Sequence, residues 1–263
     1  ALSDQEKKKY NDRAKGDNGG SIAAARTSSA RPKMTNWGET IATVEAREKK
    51  KADYDEDMRR EIEETIQLAA YSKKIPELSF FFLHVNYFYT KEGLDGSIDY
   101  IPAEIAICEF SLEYGCKRWY HQIINIDVEL GYRRELMEHA EDSHKLQPDY
   151  EKGEKDYQII LKKFQNILHK EMIRTGKMPP VYAAKRVQPI VKCFLERLKK
   201  TADDEGWKGT KEIANLYSLE ILFGKLMAVT NPDIAALNCN TSVLAEAEFE
   251  KGAFEFAPNI ECE

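Results

Sequence analysis

The spacing of apolar residues along this chain changes character twice. Residues 39–74 are highly charged, and Met58, Ile62, Ile66 and Ala69 recur on one helical face. That spacing predicts an amphipathic helix able to lie along the domain that follows. At Leu78 the periodicity disappears, because Leu78–Tyr89 is dense in Phe, Tyr, Val and Leu, the mark of a strand buried on both faces. The next segment, KEGLDGSIDYIP, holds two glycines, ends in proline and predicts a loop. Ile105–Leu112 and Cys116–Ile126 are further strand candidates around Glu113-Tyr114-Gly115, a predicted hairpin turn.

Helical spacing then returns. Leu130–Ala140 reads as a helix, and Glu154–Arg174 as a longer one with Ile160, Phe164, Ile167 and Leu168 inward. Met178-Pro179-Pro180 introduces a short strand, Val181–Ala183, before a basic-faced helix over Gln188–Lys200. Thr210 is the expected cap of a helix reaching Met227, with Leu216, Leu219, Phe223 and Leu226 on its apolar side, and Asn231-Pro232-Asp233 ends it. Three strands followed by helices alternating with a strand predict an α/β or α+β architecture around a mixed sheet.

Composition narrows this. A chain of 263 residues with 42% hydrophobic content supports one sizeable domain with extensions. Residues 17–38, rich in Gly, Ser, Ala and Thr, read as a flexible linker. No apolar run approaches the roughly 18 residues of a membrane span. The start, ALSDQEKKKY, is polar and lacks Met, so it reads as the start of a fragment rather than a signal peptide. Five dispersed cysteines (Cys108, Cys116, Cys193, Cys239, Cys262) fit a reducing compartment better than a disulfide framework. Residues 1–60 hold 14 Lys and Arg against 11 Asp and Glu, and the remainder holds 25 against 34. An acidic main domain excludes indiscriminate nucleic-acid binding, so any such contact needs a local patch.

The densest basic group in that half is Lys185, Arg186, Lys192, Arg197, Lys199 and Lys200, with Lys185, Lys192 and Lys199 at seven-residue steps. It reads either as a solvated helix face or as a phosphate-tracking strip for single-stranded RNA. Tyr182 and Trp207 are core or rim residues, or base-stacking partners of that strip. His84, on an apolar strand, reads as a satisfied core histidine. His121 and His144 are candidates for acid–base work, since imidazole titrates near neutral pH. Cys108, Cys116, Cys193 and Cys239 read as small buried hydrophobes.

Two stretches carry a family resemblance. Ala1-Leu2-Ser3-Asp4-Gln5-Glu6-Lys7-Lys8-Lys9-Tyr10, with Ala14, resembles the later part of an HMG box. Ile101-Pro102-Ala103-Glu104-Ile105, continuing through Phe110-Ser111-Leu112-Glu113-Tyr114-Gly115 to His121-Gln122-Ile123-Ile124-Asn125, closely resembles the Maelstrom-specific domain. Ser143-His144-Lys145 and Pro180-Val181-Tyr182 fit the same pattern. The resemblance implies an HMG-box remnant at 1–16, a linker and charged helix at 17–75, and a C-terminally truncated Maelstrom domain at 76–263. The implied fold is α/β: an RNase H-like mixed sheet flanked by helices, related to DEDD exonucleases.

Those exonucleases hold two metal ions through acids, beginning with Asp-x-Glu on the first strand. That motif falls near His84 and Asn86, and a later acid falls near Gln188. No Asp or Glu lies between Leu78 and Tyr89, so a two-metal mechanism is not expected. The family has instead a Glu-Cys-His-Cys set for structural zinc. Glu104 matches its Glu and Cys262 its first Cys; the His, three residues further, and the second Cys fall past Glu263. A complete tetrahedral site is thus not expected from this stretch alone.

By resemblance, the expected function is that of a germline piRNA-pathway component repressing transposons, in meiosis and differentiation, acting through contacts with single-stranded RNA and pathway proteins. The alternative is a metal-independent endonuclease of single-stranded RNA. The expected location is the perinuclear nuage of the cytoplasm and the nucleus, with DNA contacted only through an intact HMG box and no membrane.

Overall fold

The computed structural model describes residues 34, 38–94, 96–204, 213–236 and 241–250. Helix α1 runs Ile41–Tyr71, and Thr40 Oγ1 accepts the Thr43 N–H at its start, an N-terminal cap. The chain divides into two units, residues 1–57 and 58–263, with the division inside α1.

In the second unit five strands form one sheet in the order β3-β2-β1-β4-β5. They are β1 Phe80–Glu92, β2 Ile98–Ser111, β3 Gly115–Ile123, β4 Val181–Ala183 and β5 Leu216–Ser218. The first three pair antiparallel, whereas β4 runs parallel to β1 and β5 parallel to β4. A mixed sheet in this order is the arrangement an RNase H-like fold requires. Helices α2 Arg133–Asp142, α3 Tyr157–Thr175, α4 Gln188–Asp204, α5 Leu219–Thr230, α6 Pro232–Ala236 and α7 Thr241–Glu250 complete the described elements. None of the described helices is long and apolar enough to cross a membrane.

Alternation along β1 divides the core. Phe81, Leu83 and Val85 join Ile105 and Ile107 of β2 beneath α3 and α4, which supply Ile160, Phe164 and Leu168, and Val191, Phe194 and Leu198. The opposite face presents Phe80, with Tyr182 and Tyr217, to Met58, Ile62 and Ile66 of α1 and to Ile221 and Leu222 of α5. The charged helix is held here by its one apolar stripe, as its spacing predicts. Beyond the middle of β1, Phe88 and Tyr89 meet Ile101 and Ala103 of β2 and Leu136 of α2. Asp156 accepts the Gln158 N–H to cap α3, and Gly176, at φ +72°, ends it in the left-handed conformation that favours glycine.

Two expected boundaries are corrected. The loop predicted over 91–102 is shorter, because β1 runs to Glu92, the Gly93 N–H donates to the Ser97 carbonyl, and Ile98–Pro102 extends β2. Tyr100 and Ile101 pair with Thr90 and Tyr89, and Pro102 sits where the register shifts, a bulge that spares the ladder its missing N–H. The helix expected from a Thr210 cap begins instead at Leu219, capped by Ser218, whose Oγ accepts the Ile221 N–H at 3.3 Å. Leu216 is not helical because β4 offers it a parallel ladder, Val181 opposite Leu216. Thr210 itself is outside the described residues, as are Trp207, Cys239, Cys262 and the resemblance to an HMG box at the start of the chain.

Gly224 marks where α5 meets α7. A Cβ there would lie 2.6 Å from the Thr241 carbonyl oxygen, inside contact distance. Gly224→Ala is therefore expected to cost about 1–3 kcal/mol by overpacking, despite alanine's better helix propensity. Urea melts monitored by circular dichroism would measure it, and an unchanged midpoint would contradict the contact.

Candidate functional site

Where α1 and α5 stop covering the sheet, a trough of about 300 Å³ opens on that same face. Phe82, His84, Cys108, Trp119, His121 and Leu219 are among the residues lining it. The strand register explains the assembly: His84 lies opposite Ala106, which lies opposite His121, and Cys108 lies opposite Trp119. Each of these positions alternates with a core residue. The resulting surface is mostly apolar, carries two imidazoles, and leaves Trp119 70% exposed.

A polar chain crosses three strands beside it. His84 Nε2 meets Asn86 Oδ1 at 3.0 Å, Asn86 Nδ2 donates to Glu104 Oε1 at 2.5 Å, and His121 Nε2 lies 2.9 Å from Glu104 Oε2. His84 is thus an exposed, hydrogen-bonded residue, not the core histidine its apolar strand suggested. The period-two pattern puts it on the face that α1 leaves open. His84 and Asn86, neither of them a carboxylate, are the two residues of β1 in this network.

Both oxygens of Glu104 are engaged in it. Among the described residues no three His, Cys, Asp or Glu side chains gather closely enough to hold a metal ion. Cys262, the other residue that the resemblance assigns to zinc, lies outside the described residues.

The six basic candidates do not form one strip. Lys185 and Arg186 sit on a single 3-10 turn, Lys185–Val187, ahead of α4. The Lys185 ammonium meets Glu246 of α7 at 2.9 Å, and its backbone N–H donates to Glu220 at 2.7 Å. The salt bridge to Glu246 raises the ammonium's already high pKa. Arg197 Nη2 donates to both carboxylate oxygens of Asp99 at 2.6 Å, tying α4 to the start of β2. Lys192 lies 4.0 Å from Glu196, and Lys192, Lys199 and Lys200 are exposed. Because α4 packs on the face opposite the trough, these three lysines and the trough lie on different sides of the sheet. The seven-residue spacing holds for Lys192 and Lys199 but loses Lys185 to the change of helix type.

Other candidates resolve differently. His144 Nδ1 accepts the Leu146 N–H and Nε2 donates to the Tyr87 carbonyl, each at 3.0 Å. Burial lowers its pKa, so the ring is neutral and both nitrogens are structural. Tyr182 is buried beneath α1 with its phenol pKa pushed up by burial, which removes it as a base-stacking surface. Cys116 is exposed and Cys108 and Cys193 are half-buried, so none is the buried hydrophobe its residue type suggested. Exposed Trp119 was missed; its alternation with Arg118 and Tyr120 in β3 was the available signal.

Comparison with known proteins supplies the context. Residues 96–263 match the Maelstrom family, described as a piRNA pathway germ-plasm component. Over 264 residues and its whole length the chain is 25% identical to Protein maelstrom homolog of Culex quinquefasciatus, covering 49% of that protein. It is 26% identical over 269 residues to Protein maelstrom 1 of Drosophila pseudoobscura pseudoobscura, again along its whole length and 70% of the relative. Against Protein maelstrom of Drosophila melanogaster it is 27% identical over 211 residues, 79% of the chain and 44% of the relative. The chain thus spans about half the length of two of these relatives. Since the family match covers well over half the chain, from the start of β2 through every later element, this chain belongs to the Maelstrom family.

Proposed function

We propose that this chain acts in the germline piRNA pathway that represses transposable elements, through an RNase H-like sheet that contacts single-stranded RNA, partner proteins or both. One observation supports the reading of the site: His84 and Asn86, which the family resemblance lays over the first acids of a two-metal nuclease, hydrogen-bond to each other, and Asn86 donates to Glu104. An imidazole and a carboxamide bring no negative charge to hold paired hard cations. The sheet is then a scaffold for contact, with Lys192, Lys199 and Lys200 as phosphate partners on α4. Structural zinc held by Glu104 and Cys262, completed by ligands past Glu263, would staple β2 to the end of the chain. Location in the nuage and nucleus, and DNA contact through a complete HMG box, belong to the same proposal.

The second reading, metal-independent cleavage of single-stranded RNA, is favoured by one observation. His84 and His121 face the same trough, where RNA bases would have Trp119 to stack on.

Titrating labelled single-stranded RNA with the chain at stepped salt tests both. Binding should weaken steeply with salt. Lys192→Glu with Lys199→Glu should lower the slope of log K against log salt by about 1.4, two phosphate contacts at roughly 0.7 each. Salt-independent binding, or none, would remove RNA from the proposal. Cleavage that persists in EDTA would favour the endonuclease, and cleavage abolished by EDTA would overturn the metal-free reading of β1.

A further inference from the structure

We propose that Cys108 and Cys116 are a modification site, forming a reversible disulfide between β2 and β3 with glutathione disulfide as oxidant. The two thiols are free, and their sulfurs lie 2.6 Å apart. A disulfide needs about 2.05 Å between sulfurs and side chains that converge, so closing the bond asks for a shift of roughly 0.5 Å and no rearrangement of the strands.

The ladder produces this convergence. Cys108 pairs with Trp119 and Phe110 with Cys116, with a register shift between Glu109 and Phe110. In a ladder continued regularly from Cys108 and Trp119, Cys116 would lie three positions along and point to the other face; the shift sets it opposite Phe110 and makes it a diagonal neighbour of Cys108. A bulge bends the strand and sharpens its twist, and here it brings the thiols together on one face. β3 is the outer strand of the described sheet, so the bond would pin an edge strand to its one ladder partner among the described residues. Cys108 also lines the trough, so the bond would form at the trough's wall.

The two cysteines divide the chemistry by exposure. Cys116 is exposed and Cys108 half-buried. The Cys116 thiolate attacks one sulfur of glutathione disulfide, forming a mixed disulfide and releasing one glutathione thiolate. Cys108 then gives up its proton to solvent and attacks the Cys116 sulfur, expelling the second glutathione. Two protein thiols become one disulfide, and one glutathione disulfide becomes two glutathione thiols. Burial pushes the Cys108 thiol up to about 12, so its step depends on proximity more than on acidity. In a reducing compartment such a bond is transient and responds to the local redox poise. The proposal stands apart from the RNA reading, which its failure would leave untouched.

The test equilibrates the folded chain in glutathione buffers of stepped ratio, quenches with N-ethylmaleimide and reads intact mass. Digestion by a glutamate-specific protease follows, because Glu109 and Glu113 separate the two cysteines whereas no Lys or Arg does. The expected result is loss of two hydrogens with the Cys108 and Cys116 peptides joined. The joined form should appear at a glutathione disulfide level at least about tenfold lower than in urea, roughly a 30 mV shift for a two-electron couple. Cys193→Ser should retain the bond and Cys116→Ser should lose it. Two separate glutathione adducts on the folded chain, or equal crosslinking in urea, would overturn the proposal.

Discussion

Phe164→Ala should remove a large share of the stability of the domain. The ring is fully buried in α3, in the cluster formed with β1, β2 and α4. Removing it costs the transfer free energy of the lost atoms plus a cavity, about 3–5 kcal/mol for Phe→Ala. A domain of this size is stable by only about 5–15 kcal/mol, so the urea midpoint should fall by about a fifth or more. Leu68→Ala is the control. Leu68 also lies on an amphipathic helix, but it is 72% exposed, and its loss should stay within about 0.5 kcal/mol. Equal effects of the two substitutions would contradict the packing of α3 against the sheet.

Glu109→Ala should come next in size, and its effect should vanish in acid. Glu109 points from β2 toward α3, 7% exposed. It accepts from Ser79 Oγ at 2.9 Å and from Arg118 Nε at 2.6 Å. Arg118 also donates to the Ile167 carbonyl at 3.0 Å, joining β3 to α3. Removing the carboxylate leaves this half-buried guanidinium without its anion, a change worth about 3 kcal/mol at neutral pH. Burial raises the Glu109 pKa, but the hydrogen bonds from Arg118 and Ser79 and the charges of Arg118 and Lys117 outweigh it and hold the carboxyl below its ordinary value. A carboxyl depressed in the folded state adds stability that is complete above the unfolded value, near 4.5, and is lost as pH falls through the folded one. Chemical melts of both proteins at pH 7 and across the acid range should therefore converge below the ordinary carboxylate range. A gap that widened in acid would show that the pair does not stabilise the fold.

Particular residues show where sequence reasoning reached. The one-sided stripe of α1 was readable because a helix repeats every 3.6 residues and only Met58, Ile62, Ile66 and Ala69 fit that period. The inward face of α3 was readable for the same reason. β5 was not, because three residues have no period to detect and, unlike β4 after Pro179-Pro180, no flanking proline marks it; it depends wholly on β4 offering a ladder. The extension of β2 through Pro102 was hidden by local chemistry that signals a turn, which a bulge then accommodated. Lys185, Lys192 and Lys199 look equivalent in spacing, yet Lys185 faces Glu246, which is 61 residues away in sequence. The Asp99 partner of Arg197, 98 residues away, was equally invisible. Such contacts belong to tertiary structure because they join residues that local spacing cannot relate.

By itself the sequence determined the class of the sheet, the helices that sandwich it, the family, and the lack of acids from Leu78 to Tyr89, since each follows from residue type and short-range period. Only the tertiary structure decided which face stays open, that His84 and His121 share it with Trp119, and that the α4 lysines lie on the other side. The physical reason is that alternation assigns residues to two faces but cannot say which face a helix will cover; that depends on where α1 and α5 end.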